Sequence, residues 1–177
     1  MTGWSYPCDS AYLSLPSDVM PPTQSELELL ADDVVYEINH FWNASVFILG
    51  QLRGDVEGNL HREAMLIHAR CLMDFFLCDP KKDDVVASMY VLEWDPAADG
   101  REELAWLENN LVMYINKRVA HITAYRQRCE NVGHPVIDIL WKMRLVISRF
   151  LKMVDLDRWP QFAEVKRGIV GRSSSGP

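Results

Sequence analysis

The chain of 177 residues carries 25 acidic against 18 basic side chains, a formal net charge of −7 and a pI near 5.2. With 49% apolar and 24% charged residues it has the composition of a globular protein, which excludes a wholly disordered one. A single domain of this length buries roughly 70% of its unfolded surface without needing a metal or a disulfide, and the negative charge excludes nucleic-acid binding except through a local basic patch.

Residues 1–22 hold Pro7, Pro16, Pro21 and Pro22 among Trp4, Tyr6 and Tyr12, which predicts an irregular N-terminal arm. Met1 to Ser10 lacks the basic stretch and apolar run of a secretory signal. The helical domain is expected over 23–167. Thr23 and Glu26 form a capping box, after which Leu27, Leu30, Val34, Ile38, Phe41, Ser45, Ile48 and Leu52 recur every three or four residues. Gly54 to Asn59 ends this first helix, and the run Val46 to Leu49 is far too short to cross a bilayer.

A second helix is predicted over Leu60 to Leu77, with Leu60, Ala64, Ile67, Cys71, Phe75 and the neighbouring Leu72 and Phe76 on one wide apolar face. Asp79-Pro80 closes it, and Asp83 or Asp84 caps a short helix through Val91. Asp95-Pro96 breaks the chain again before Asp99 and Glu102 open a third long helix as a second capping box, with Leu104, Leu107, Leu111, Ile115, Val119 and Ile122 as its stripe. Pro135 occupies a first turn, and Val136, Leu140, Met143, Ile147, Phe150, Leu151 and Val154 make a fourth helix. Trp159-Pro160 stops it, residues 161–167 add a turn or two, and 168–177 read as a flexible Gly- and Ser-rich tail. The expected fold is all-α: an antiparallel bundle of about four long helices.

Cys8, Cys71, Cys78 and Cys129 form no CxxC pair, and Cys71 and Cys78 lie two turns apart on one helix, where a disulfide cannot close. Reduced thiols and a cytoplasmic location without a membrane partner are expected. No phosphate-cradling glycine motif and no GxSxG occurs, and no cofactor is predicted.

Chemistry is sought where polar residues interrupt the stripes. Asn116, Arg118, His121 and Arg126 cluster on the third helix, and Arg118 and His121, three residues apart, can approach one anionic group. The ordinary alternative is a core-edge histidine bonded to a carbonyl, with solvated arginines. His68 sits inside the second apolar face, where a satisfied core histidine is the commoner role, with Glu37 or His121 as its partner. Arg70 and Asp74 are spaced for an i, i+4 ion pair. Glu37 interrupts the first stripe and needs a cation or donors, with His68, Arg70 or His121 as candidates. Glu37, His40, His68 and His121 are the residue types of a metal site, but no ExxH or HxxxH pair supplies two ligands from one helix.

The helical order over residues 26–154 and the Asn116 to His121 segment resemble the HEPN-like superfamily, whose bundles often act in prokaryotic defence or toxin systems. The resemblance implies a homodimer and metal-independent ribonuclease chemistry on the RNA 2′-hydroxyl, with His121 matching the family's histidine. The arginine expected five to seven positions before it is not matched: Tyr114, Ile115 and Asn116 stand there. The site is therefore degenerate, an RNA- or nucleotide-related site whose positive charge would come from Arg118 or Arg126. The alternative is a non-enzymatic bundle that docks a partner protein through a helix face or the aromatic arm, and a third reading is a DinB-like metal-binding bundle.

Overall fold

A computed structural model of the chain describes residues 22–50, 56–78, 84–101, 103–105 and 136–171. The described residues form helices and turns and no strand, as the sequence predicts. In chain order these are α1 (Gln24–Gly50), α2 (Val56–Leu77), a 3-10 turn (Ala87–Met89), a π-helical turn (Pro96–Arg101), α3 (Val136–Met153), a second 3-10 turn (Pro160–Phe162) and α4 (Ala163–Ile169). The Phe47–His61 and Glu37–His68 contacts run α1 and α2 antiparallel, and Arg144 beside Trp42 with Arg158 beside Gln24 does the same for α1 and the chain from α3 onward.

The predicted capping box opens α1. The Glu26 N–H donates to Thr23 Oγ1 at 3.3 Å, and the Thr23 N–H donates back to Glu26 Oε2 at 2.7 Å, so two otherwise orphaned donors are satisfied. The Thr23 N–H, and then its hydroxyl, hold the Glu26 carboxyl below the ordinary value. Leu27, Ala31, Val34, Ile38, Phe41, Ala44, Ser45 and Ile48 are buried at the spacing of one helical face. Ser45 is the buried polar side chain of the described core, and it donates to the Phe41 carbonyl at 2.7 Å.

The second helix departs from expectation twice. It begins at Val56, four residues ahead of Leu60, so the Gly54 to Asn59 break is shorter than predicted and a buried Gly58 lies inside the helix. Its inward face is only partly the predicted one: Leu72, Phe75 and Phe76 are buried as expected, but Leu60, Ile67 and Cys71 are exposed, and Met65, Leu66, Ala69 and Met73 are buried beside them. Apolar residues ring α2 almost completely, so the 3.6-residue period admits several faces, and only packing selects one.

The short helix expected before Val91 is a single 3-10 turn. It delivers Tyr90 and Trp94 to the core, where the Tyr90 hydroxyl donates to the Leu27 carbonyl at 3.1 Å and the Trp94 indole N–H to the Phe76 carbonyl at 3.0 Å. Burial first, and then the Asp33 charge, push the Tyr90 hydroxyl far above the usual phenol range. Phe75, Phe76, Tyr90, Trp94, Phe150, Trp159 and Phe162 pack edge-on or tilted with centroids 4.8–6.0 Å apart, the arrangement that ring quadrupoles favour.

Asp99, expected to open the third helix, lies within a π-helical turn, and Glu102 lies outside the described residues. Asp95 caps the π-helical turn instead, its Oδ1 accepting from the Ala97 N–H at 2.9 Å with Pro96 in the first turn. Asp99 lies inside that turn and accepts from the Asp95 N–H at 3.0 Å. Leu104 is buried, as its place on the third stripe predicts, and the stripe from Leu107 to Ile122 lies outside the described residues. Arg149 of α3 anchors this region, donating to Glu103 Oε1 at 2.7 Å and to the Asp99 carbonyl.

The fourth predicted helix is α3, with Ile139, Leu140, Met143, Val146, Ile147, Phe150 and Leu151 buried. On either side of Trp159-Pro160 the chain lies against the N-terminal half of α1, where Arg158 donates to Gln24 Oε1 at 2.8 Å and Gln161 to the Glu28 carbonyl at 3.1 Å. Helix α4 runs through Ile169, which is buried and lies beyond the predicted start of the tail. Residues 1–21 of the arm and 172–177 of the tail lie outside the described residues.

Candidate functional site

Two features of the described residues are candidates: a polar seam between α1 and α2, and an exposed apolar face shared by α1 and α3. The seam centres on Glu37 and His68, whose Oε2 and Nδ1 are 2.7 Å apart with side chains 29% and 14% exposed. A carboxylate only accepts, so it is Nδ1–H that donates, and in a neutral imidazole this leaves Nε2 as the acceptor. His40 brings its ring to 5.3 Å from His68, and Tyr36 packs tilted against His40 with centroids 4.0 Å apart, so two exposed rings flank the imidazole. Of the partners expected for Glu37, His68 is the one found.

One turn further along α2, Arg70 pairs with Asp74 as the i, i+4 spacing predicts, and the Cys78 thiol approaches Asp74 Oδ1 at 3.5 Å. Neither Cys71 nor Cys78 is in a disulfide. Although Cys71 is exposed as a residue, desolvation of its sulfur by the surrounding side chains, followed by the Glu37 and Asp74 charges, pushes the thiol up against the opposing pull of Arg70, which disfavours the nucleophilic thiolate. A groove of about 160 Å³ opens beside Glu37 and Cys71, floored by Leu72 and Phe75. That is well below the roughly 300 Å³ where ligand pockets begin. Among the described residues no three His, Cys, Asp or Glu side chains converge to hold a metal.

The second feature lies on the other side of α1. Val46 and Leu49 on α1, and Ile137, Trp141 and Leu145 on α3, are 50%, 44%, 59%, 55% and 51% exposed. Arg144 places its guanidinium 5.8 Å from the Trp42 ring centroid and 5.4 Å from that of Trp141, which ties the two helices together at the surface by cation–π contact. From Ile38 to Leu52 the chain has no Asp, Glu, Lys or Arg, so the α1 half of the face carries no formal charge. An indole pair and an arginine amid aliphatic side chains are the chemistry enriched at the centres of protein interfaces.

Of the site residues read from the sequence, Glu37 and His68 come together, Arg70 and Asp74 come together, and Asn116, Arg118, His121 and Arg126 lie outside the described residues. The α1–α3 face was missed. Its signals are the uncharged stretch on α1 and the recurrence of Ile137, Trp141 and Leu145 every four residues beside, rather than within, the buried stripe of α3. No helix of the described residues is long and apolar enough to cross a membrane. Compared with protein-family models, curated proteins and solved structures, the chain matches none.

Proposed function

We propose that this chain is a non-enzymatic protein-interaction bundle whose working surface is the α1–α3 face. The observation that carries the reading is the set of half-exposed Val46 and Leu49 on α1 and Ile137, Trp141 and Leu145 on α3, the two helices being linked at the surface by the Arg144 guanidinium between Trp42 and Trp141. An apolar patch of this kind is costly to leave in water, and on a soluble domain it usually marks a contact surface. The described polar residues point the same way, because Glu37 satisfies His68 and Asp74 satisfies Arg70. A photo-crosslinking residue placed at position 141 of the full chain is expected to give a discrete protein adduct that Leu145→Asp abolishes. Adducts no stronger than those from position 63, an exposed site on α2, would contradict the reading.

The Glu37–His68 pair favours a second reading, in which a HEPN-like bundle carries a degenerate RNA- or nucleotide-related site with Asn116, Arg118, His121 and Arg126. A histidine oriented by a carboxylate keeps Nε2 available as a general base. RNA cleavage by the purified chain that is lost in His68→Ala, His121→Ala and Arg126→Ala would establish this reading in place of the first. Cleavage unchanged in all three would remove it.

A further inference from the structure

We infer that the groove between α1 and α2 receives a lysine side chain of a partner protein, its methylenes on the apolar floor and its ammonium between Asp33 and Glu37. Asp33 and Glu37 project about 180° and about 140° around α1 from Trp42, so this site lies across the helix from the α1–α3 face, and the two stand or fall independently.

Size is the first argument. The groove of about 160 Å³ is too small for a whole small-molecule ligand, but it is the size of a cavity that admits a benzene-sized body. A lysine side chain is of that size, whereas arginine adds a planar fork that exceeds it. Leu30 and Val34 on α1, Leu72 and Phe75 on α2, and Val85 make the lining apolar. A lysine stem packs on such a surface while its charged head stays at the wet rim. The rim carries the exposed Asp33 and Cys71, so a side chain enters while the backbone that bears it remains outside.

Charge selects the occupant. Asp33 and Glu37 stand one turn apart on the α1 wall, which places their Cβ atoms roughly 5–6 Å from each other. Glu37 accepts from His68 Nδ1 at 2.7 Å, and a carboxylate has room for a further donor. Asp33 makes no hydrogen bond or ion pair among the described residues, and its charge is felt as far as the Tyr90 hydroxyl. Arg70, whose charge reaches Cys71, is matched by Asp74. Around the groove α1 adds Glu26, Glu28 and Asp32 and no basic residue. An ammonium presents three donors on one compact charge and serves two carboxylates on different residues, which an uncharged side chain leaves unpaired.

Methyl NMR of the full chain at about 0.15 M salt tests this, with Nα-acetyl-lysine methylamide as the probe. The methyls of Leu30, Val34, Leu72 and Val85 should shift and saturate with a Kd of about 1–10 mM, the range for a single side chain. The norleucine analogue keeps the stem without the ammonium and should bind about tenfold more weakly or worse. Asp33→Lys should abolish the shifts, whereas Asp32→Lys, at a neighbouring exposed acid that does not line the groove, should change Kd by less than about threefold. An absence of shifts, equal binding of the norleucine analogue, or binding unchanged by Asp33→Lys would overturn the proposal. Lys81 and Lys82, shortly before Val85, lie outside the described residues. Shifts that appear only in the Lys81→Gln/Lys82→Gln double variant would make the chain's own lysine the occupant and overturn the partner. Binding of n-butylammonium about tenfold tighter than the lysine probe would overturn it in favour of a free amine.

Discussion

Glu37 is the charge most conspicuously out of place in the sequence, and its environment accounts for it. On the α2-facing edge of α1 it finds the His68 imidazole at 2.7 Å, and the pair is partly shielded by Tyr36 and His40. Removing one partner of a partly desolvated hydrogen bond costs more than the bond itself contributes. Glu37→Ala should therefore destabilise the fold by about 1–2 kcal/mol, and Glu37→Gln, which can still accept from Nδ1–H, by less. Urea unfolding checks both, and a neutral Glu37→Ala would show that the pair holds nothing. Arg149 behaves differently. Burial works to raise the Glu103 carboxyl, but hydrogen bonds from Arg149 and the Glu103 backbone, with the Arg149 and Lys142 charges, outweigh it and set a net value below 4.5. A depressed carboxylate stabilises the fold fully above its unfolded value and loses that contribution as pH falls through the folded one. Arg149→Met should accordingly be less stable than the wild type at pH 7, by no more than about 1 kcal/mol given the exposure of the pair. The gap should close below about pH 4.5; a gap that widens in acid would reverse this assignment. At this scale the sequence was informative about who needed a partner: Glu37, His68, Arg70 and Asp74 were all legible as such. It was silent on how exposed each pair would be, because exposure depends on the facing helix.

Among the elements, the helix starts and stops that rest on local chemistry were the most readable. The Thr23–Glu26 box opens α1 because a side chain and a backbone three residues apart satisfy each other with no help from the rest of the fold. Asp99 and Glu102 show the same spacing, but Asp95 and Pro96 come first in the chain and take the cap, leaving Asp99 inside the π-helical turn. The inward face of α2 was legible at Leu72, Phe75 and Phe76 but not over its first half, since apolar residues on nearly all its sides leave the choice to α1 and to the aromatic cluster. The π-helical turn is held close to that cluster at Gly100. A Cβ there would lie 3.0 Å from Leu77 Cδ2 and 3.8 Å from both Trp94 Cζ2 and Val146 Cγ1. Gly100→Ala asks only that the end of Leu77 move slightly. Gly100→Val would overfill the junction of α2 and α3 and should cost about 1–3 kcal/mol, measured by thermal or urea unfolding; a stability equal to that of Gly100→Ala would show that the junction is loose.

For the molecule as a whole, composition established a globular, acidic chain and the stripes a helical one, but neither showed how the charge is distributed. The acids concentrate on α1 and the bases of the described helices on α3, so a chain of charge −7 presents a locally uncharged to basic flank around Trp141. That flank is also where Val46, Leu49, Ile137 and Leu145 remain half exposed, and no stripe-based reading registers it because the stripe records what is buried. Use of this face as a protein contact surface is the central claim. Hydroxyl-radical footprinting of the full chain, purified and then inside the cells that make it, reads it residue by residue through mass spectrometry. Protection of Trp141, Leu145 and Val46 in the cells, with Leu92 oxidised equally in both, is the result the reading requires; oxidation of Trp141 that is the same in both would contradict it.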